Sequence, residues 1–473
     1  MPAISVALIA PCWWHRHIEA GDLASHVYNA WLAQLIAKGQ APGLYVAPQW
    51  NNVLVDWMLQ PATKLFGFSG GEKIIVSLCV LVFFWGVFVL VSAASERAPW
   101  VLTPCIAMLA YGYVFNMGFL NYYLSIGLAA WSLPLLWKGK RIGRGVGVAL
   151  VPFVLLAHPL GMLWLAGTAV YFFVWTKLPS WWKLAAPGGA VAVLLAVHGY
   201  IKGKPGLAAD WERPAFFLLN GADQLILYSQ RYSAVAATAV LVGVVCMAVE
   251  GLARRRERSF WESLSLPFGL YVIAVIATAS LPQNLHPSTT GGVVGLLVSR
   301  LTVITAIFGL CVLNYARPRR IEFGAFAGCA LAFFALLYGD TGVLNRMEAN
   351  VEGMVRGLPF GRRVLETIWA PPGSNISFVG HLADRACIEH CFSFGNYEPS
   401  TGQFRVRARA GNQVVTASYD DSGEMQSGEY EVQDEDLPMN EIYQCDPKDL
   451  TKLCMRDLAA GELNGRMGYK PPD

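Results

Sequence analysis

Eight residues near the start of the chain, Glu19-Ala-Gly-Asp22-Leu-Ala-Ser-His26, carry the sharpest chemical pattern in the sequence. Asp22 and His26 are four positions apart, so a helix that starts at Asp22 puts a carboxylate and an imidazole on one face. Such a pair can take a proton from a hydroxyl, with Glu19 as a competing base three residues upstream. The bland alternative is that Asp22 is only an N-cap. Further polar groups recur at turns and at the ends of apolar segments. Asn51 lies in the same long polar stretch as the acidic motif. Asn116 and Asn121 bracket the tight turn Asn116-Met-Gly-Phe-Leu-Asn121, and Tyr122 follows. His158-Pro159 and His286-Pro287 mark two more turns, and Arg231 and Arg300 stand at or near the start of apolar runs. For the asparagines and histidines the alternative is turn chemistry; for the arginines it is snorkelling. No cofactor motif is present. Histidines and carboxylates together could hold a divalent metal, but no short-spaced ligand pair accompanies them.

The elements that must position these groups are apolar. Of 473 residues 55% are hydrophobic and 15% charged, against about 25% charged in soluble proteins. The mean hydropathy is +0.41. This balance excludes a disordered chain, a nucleic-acid binder and an ordinary cytosolic enzyme. Crossing a hydrocarbon layer of roughly 30 Å takes about 20 apolar residues. Runs near that length occur at 72–94, 99–116, 118–137, 145–158, 160–176, 181–201, 232–252, 264–281, 297–315 and 321–338. Pro2 to Trp14 is shorter and lacks the basic start and cleavage site of a secretory signal, so it reads as a first span. The expected fold is an α-helical polytopic membrane protein with about eleven transmembrane helices.

Basic loops set its orientation. Lys138, Lys140, Arg141 and Arg144, then Lys177 and Lys183, then Arg254, Arg255, Arg256 and Arg258, then Arg317, Arg319 and Arg320 all fall on one side if the spans alternate. The positive-inside rule makes that side cytoplasmic, so the chain starts inside and ends outside. Composition breaks near Asp340. Residues 340–473 hold 21 of the 33 acids and 13 of the 36 bases, a net of −8, which leaves 12 acids and 23 bases, a net of +11, for residues 1–339. Residues 1–339 are therefore read as a transmembrane domain. Its first outer loop, 15–71, contains two interfacial helices: Asp22 to Lys38, ended by Gly39, and Asn51 to Phe66, interrupted by Pro61. Residues 340–473 are read as an extracytoplasmic domain, helix-compatible over 346–368 and β-like at 376–378, 404–408, 413–418 and 429–432. Six cysteines scattered through the apolar body read as small buried hydrophobes. The other four, Cys387, Cys391, Cys445 and Cys454, suggest two disulfides in an oxidising compartment, with three pairings open. A zinc site is the weaker alternative, because Cys445-x8-Cys454 is not zinc-knuckle spacing.

Taken together, the first span, the acidic Glu19-Ala-Gly-Asp22 just beyond it, the large outer loop with two helices, about eleven spans and a folded outer domain resemble a known class. It is the GT-C class of polyprenyl-phosphate-sugar-dependent glycosyltransferases, such as bacterial relatives of protein mannosyltransferases and aminoarabinose transferases. Gly21-Asp22-Leu23 carries a single acid where such families commonly have an Asp-Glu pair, so Asp22 and Glu19 compete as the base. The resemblance implies transfer of a sugar from a polyprenyl phosphate to an acceptor hydroxyl at the outer face of the membrane. Asp22 would act as base, assisted by His26 or Glu19. Arg231, Arg300 and His286 would stabilise the departing phosphate. Asn51, Asn116, Asn121, Tyr122 and His158 would contact the substrate. Implied partners are a lipid bilayer, the polyprenyl-phosphate-linked sugar and a glycan, lipid or protein acceptor, with no nucleic acid. The implied location is the bacterial inner membrane with the C-terminal domain in the periplasm. Two rivals stand beside this reading: a polytopic transporter or flippase, and a non-catalytic envelope assembly protein. Transporters place ionisable groups near the midplane and often carry internal repeats, whereas here the polar groups sit at the outer ends of the spans.

Overall fold

The computed structural model describes residues 1–183, 186–211, 215–287, 295–376 and 381–470. Among the described residues six helices are long and apolar enough to cross a membrane: Leu54–Ser95, Pro159–Lys177, Arg231–Ala253, Arg258–Ser280, Leu297–Tyr315 and Arg320–Val355. Six replaces the eleven expected from apolar runs alone, and the reasons are local. Pro2–Ile9 is an eight-residue helix that tightens into a 3-10 turn at Ala10–Cys12. The 99–116 run breaks into a 3-10 turn at Trp100–Leu102 and two short helices, Thr103–Ala110 and Tyr113–Asn116. Arg141–Ala157 has only 17 residues. Leu120–Lys138 carries Asn121, Ser125 and Ser132 on its buried side, and Ala186–Gly203 is diluted by Pro187, Gly188 and Gly189.

The outward faces of the long helices are apolar. Only 17% of the apolar window of Arg231–Ala253 and 22% of that of Arg320–Val355 is buried within the protein. Leu241, Val244, Phe173 and Leu331 stand exposed on such faces. In water a surface of this kind drives aggregation; in hydrocarbon it is the expected exterior. The fold is that of a membrane protein. Basic turns gather at one end of the bundle, where Lys138 Nζ reaches Glu96 at 2.8 Å and the Asn314 amide donates to the Arg97 carbonyl at 2.8 Å. Leu120–Lys138 and Leu297–Tyr315, each of 19 residues, run from that end to the opposite one, a distance of about 28 Å at ~1.5 Å per residue.

Within residues 15–71 the helix Leu23–Ala37 ends at Lys38 and Gly39 as the sequence predicts, but protein surrounds it: twelve of its fifteen residues are buried. The second helix begins at Leu54, carries Pro61 without a break, and turns at Gly67, whose φ of 72° and ψ of 170° suit glycine alone, before continuing to Ser95.

The helix Arg320–Val355 passes through Asp340 without interruption. Beyond it lies a four-stranded sheet ordered Phe392–Ser393, Arg363–Thr367, Met439–Gln444, Leu453–Leu458, parallel across the first three and antiparallel at the last pair. Helix over 346–368 thus holds only to Val355. Arg363–Thr367 is a central strand because Val364, Leu365 and Thr367 are buried between its neighbours. The 404–408 run appears as Val406–Ala408, which pairs antiparallel with Leu44–Val46 of the first loop. The 413–418 run forms no strand, and 429–432 contributes only an isolated bridge from Glu431 to Leu463. The 376–378 expectation lies mostly outside the described residues. Two disulfides close locally, Cys387–Cys391 and Cys445–Cys454, with Cα separations of 4.5 and 5.7 Å.

Candidate functional site

Two tight turns meet back to back and set Asp22 in place. The Asp22 N–H donates to the Met117 carbonyl at 3.1 Å. Gly21 and Gly118 both have positive φ, and neither has room for a side chain: a Cβ on Gly118 would lie 2.4 Å from the Asp22 nitrogen, and one on Gly21 2.3 Å from the Met117 oxygen. Asp22 is the N-cap of Leu23–Ala37, yet its side chain makes no capping hydrogen bond. Its carboxylate turns instead to the C-terminal domain, where His381 Nε2 lies 3.5 Å from Oδ1. His381 Nδ1 lies 2.9 Å from Asp384 Oδ2, which also accepts from the Asn396 amide at 3.0 Å.

Charge is distributed unevenly over this group. Burial works to raise Asp22, but the hydrogen bond and charge of His381, with His26 and Arg300 behind it, hold the carboxyl below its usual range. Burial disfavours a charged His381, and its two carboxylate neighbours overcome that, so the ring stays protonated well above the usual histidine range. His26 Nδ1 sits 3.3 Å from Asp56 Oδ1 and 3.5 Å from Glu398 Oε1, between the two and hydrogen-bonded to neither. Against the cost of burial, these carboxylates push its pKa up to about 10. Glu398 accepts from Ser25 Oγ at 2.9 Å, and burial raises it to about 7 despite His26. The site therefore pairs an ionised aspartate with two protonated imidazoles.

A cavity of about 1540 Å³ opens beside Asp22, and Asp22, His26, Asn51, Asn121, Tyr122, His158 and Arg300 all line it, together with His381 and Tyr397. Trp50, Phe119, Leu155, Leu160 and Leu296 give it an apolar wall, and Gln403, Arg407, Asp420 and Glu424 of the C-terminal domain a polar one. Arg300 lies 4.2 Å above the Phe119 ring, and its Nε is buried with no hydrogen-bond partner. Tyr122 donates to the Arg300 carbonyl at 2.7 Å and meets the His158 ring edge-on at 5.3 Å. Asn121 accepts from the Val55 N–H at 2.8 Å and donates to Asp56 at 3.2 Å, so it holds the acid that faces His26.

Four residues singled out from the sequence lie away from this cavity. Glu19 is buried behind the turn, and burial, then the nearby Glu348 carboxylate, keep it protonated well above the usual range. Asn116 is buried and donates to the carbonyls of Tyr111 and Gly112 at 2.7 and 3.1 Å. Arg231 pairs with Asp340 at 2.9 Å. His286 pairs with Asp210 at 2.9 Å across the two-stranded ribbon Leu207–Asp210 and Asn284–Pro287. In turn, sequence reasoning did not find Asp56, His381, Asp384, Asn396, Tyr397 or Glu398. Only the three-residue spacing of His381 and Asp384 offered a signal. Asn396, Tyr397 and Glu398 become neighbours through the packing of the C-terminal domain on the first loop, and Asp56 through the packing of Leu54–Ser95 against Leu23–Ala37. Compared with protein-family models, curated proteins and solved structures, the chain matches none.

Proposed function

We propose that this protein is an integral membrane glycosyltransferase that moves a sugar from a polyprenyl phosphate to an acceptor hydroxyl at the outer face of the membrane. The observation that supports it best is the pairing, in one large cavity, of an ionised aspartate with an arginine whose Nε has no partner, beside an apolar wall suited to a lipid chain. The acceptor oxygen attacks the anomeric carbon and its proton passes to Asp22. The bond from that carbon to the phosphate oxygen breaks, and the lipid phosphate departs with the bonding electrons. Arg300 meets the charge that develops there, in a site where water is partly excluded. His381, steadied by Asp384, orients the Asp22 carboxylate. His26 and Asn121 maintain the wall, and His158 and Tyr122 lie close enough to Arg300 to contact the sugar.

The gathering of basic turns at the end opposite the cavity supports an amino terminus inside and the C-terminal domain outside. Two disulfides in that domain fit an oxidising compartment such as the periplasm. The test is Asp22→Asn in purified protein, offered a panel of polyprenyl-phosphate-linked sugars, with release of polyprenyl phosphate followed by mass spectrometry. Turnover should fall by about 10²- to 10⁴-fold while donor lipid still binds. A variant as active as the parent, or a parent that releases no polyprenyl phosphate from any donor, overturns the proposal.

A further inference from the structure

Behind the Glu19–Asp22 turn, away from the large cavity, a second polar group is assembled from distant parts of the chain. Glu348 and Glu352 are four apart near the end of Arg320–Val355 and share one face. His17 lies against them, 8% exposed. Glu352 Oε1 is 2.9 Å from His17 Nε2, and Glu348 Oε1 is 3.9 Å from His17 Nδ1. The outer oxygens are held by guanidinium groups: Glu348 Oε2 by Arg385 and Glu352 Oε2 by Arg16, each at 2.9 Å. Arg385 also reaches Glu348 Oε1, at 3.2 Å. His17 Nδ1 is buried and has no hydrogen-bond partner. A separate cavity of about 180 Å³ adjoins His17 and Glu352.

We infer that His17, Glu348 and Glu352 form a binding site for one divalent transition-metal ion, with Zn²⁺ the best match. One ligand atom from each residue lies within 4.8 Å of the others, and bonds of about 2.0–2.2 Å to a shared ion need only a modest contraction. One imidazole with two carboxylates is a borderline donor set that suits Zn²⁺, whereas Mg²⁺ and Ca²⁺ prefer oxygen alone. Arg16 would keep the outer oxygen of Glu352, and Arg385, which reaches both oxygens of Glu348, would release Oε1 to the ion and keep Oε2, as outer-shell partners do in metal sites. The small cavity leaves room for a water as fourth ligand. Asn345 already clasps the His17 backbone, accepting from its N–H at 2.9 Å and donating to its carbonyl at 3.1 Å. The ion would complete a tie between the last turns of Arg320–Val355 and the segment that leads, five residues on, to Asp22. This site is independent of the glycosyltransferase reading.

The experiment uses the full chain, purified in detergent without a histidine tag, stripped with chelator and titrated with Zn²⁺ alone. The readouts are metal content by elemental analysis, thermal unfolding, and the visible absorption of a Co²⁺ substitute. One ion per chain, a raised unfolding temperature, and binding weakened at least about tenfold in both His17→Ala and Glu352→Gln are expected. Should His17→Ala fail to fold, the nearly isosteric Glu352→Gln decides alone. Stripped protein that takes up no Zn²⁺, or variants that bind it as tightly as the parent, overturn the inference.

Discussion

Replacing Gly118 with alanine tests how closely the site depends on the paired turns. The new Cβ would start 2.4 Å from the Asp22 nitrogen, 2.6 Å from the Ala20 oxygen and 2.7 Å from the Leu23 nitrogen, all backbone atoms. Relief beyond about 3 Å, the closest approach such contacts tolerate, requires the Asp22 turn to retreat by over half an ångström. The positive φ adds its own cost, about 1–2 kcal/mol for a non-glycine residue. Gly411→Ala separates the two effects, because Gly411 has a φ of 74° and nothing within 4 Å of its Cβ position. Both variants should lose about 1–2 kcal/mol of stability from backbone strain. Only Gly118→Ala should also move the carboxylate, and a displacement approaching 1 Å from productive geometry lowers turnover by about 10²-fold. Stability is read by thermal unfolding and turnover by polyprenyl phosphate release. Turnover of Gly118→Ala within a factor of about two of Gly411→Ala would show that the two turns do not position Asp22.

Two further outcomes follow from the buried charges. Glu398 and His26 titrate near 7 and 10 in the folded chain instead of about 4.5 and 6.5, so the folded state retains protons that the unfolded state has released. Their contributions are complete below those lower values and are lost as pH rises to 7 and to 10 respectively. His26→Gln should flatten the decline of unfolding temperature between pH 6.5 and 10, and an unchanged profile would refute the assignment. Arg385 lies 3.4 Å from Glu72, 2.9 Å from Glu348 and donates to the Ile18 carbonyl at 3.0 Å. Arg385→Met should cost about 3–5 kcal/mol, because it leaves buried acids uncompensated. A loss below about 1 kcal/mol on denaturant unfolding, within the range of an exposed pair, would show that these acids need no such partner.

Composition and hydropathy made the solvent of this protein legible, because the transfer of apolar side chains into hydrocarbon depends on their number and run length, not on their neighbours. The helical spacing of apolar residues and the closing Gly39 also located the helix Leu23–Ala37, although the Asp22 side chain does not cap it. The number of spanning helices was not legible in the same way. Runs such as 99–116 are apolar enough, but Pro104 and Gly112 direct the chain into short pieces. The pairing of the four C-terminal cysteines became definite only when Met439–Gln444 and Leu453–Leu458 lay antiparallel, with Tyr443 opposite Cys454 and the neighbouring Cys445 within reach.

The sequence alone put an aspartate just past the first apolar segment and a histidine one turn on, since four residues of helix suffice to align them. It could not say whether that aspartate caps the helix or faces a cavity. That was decided by His381, 359 positions away, and by the meeting of two glycine turns, contacts that leave no periodic trace in the chain. Local patterns record forces that act over one or two turns of backbone. The partners of a buried charge are chosen by whatever distant surface closes over it, and only the packed molecule contains that choice.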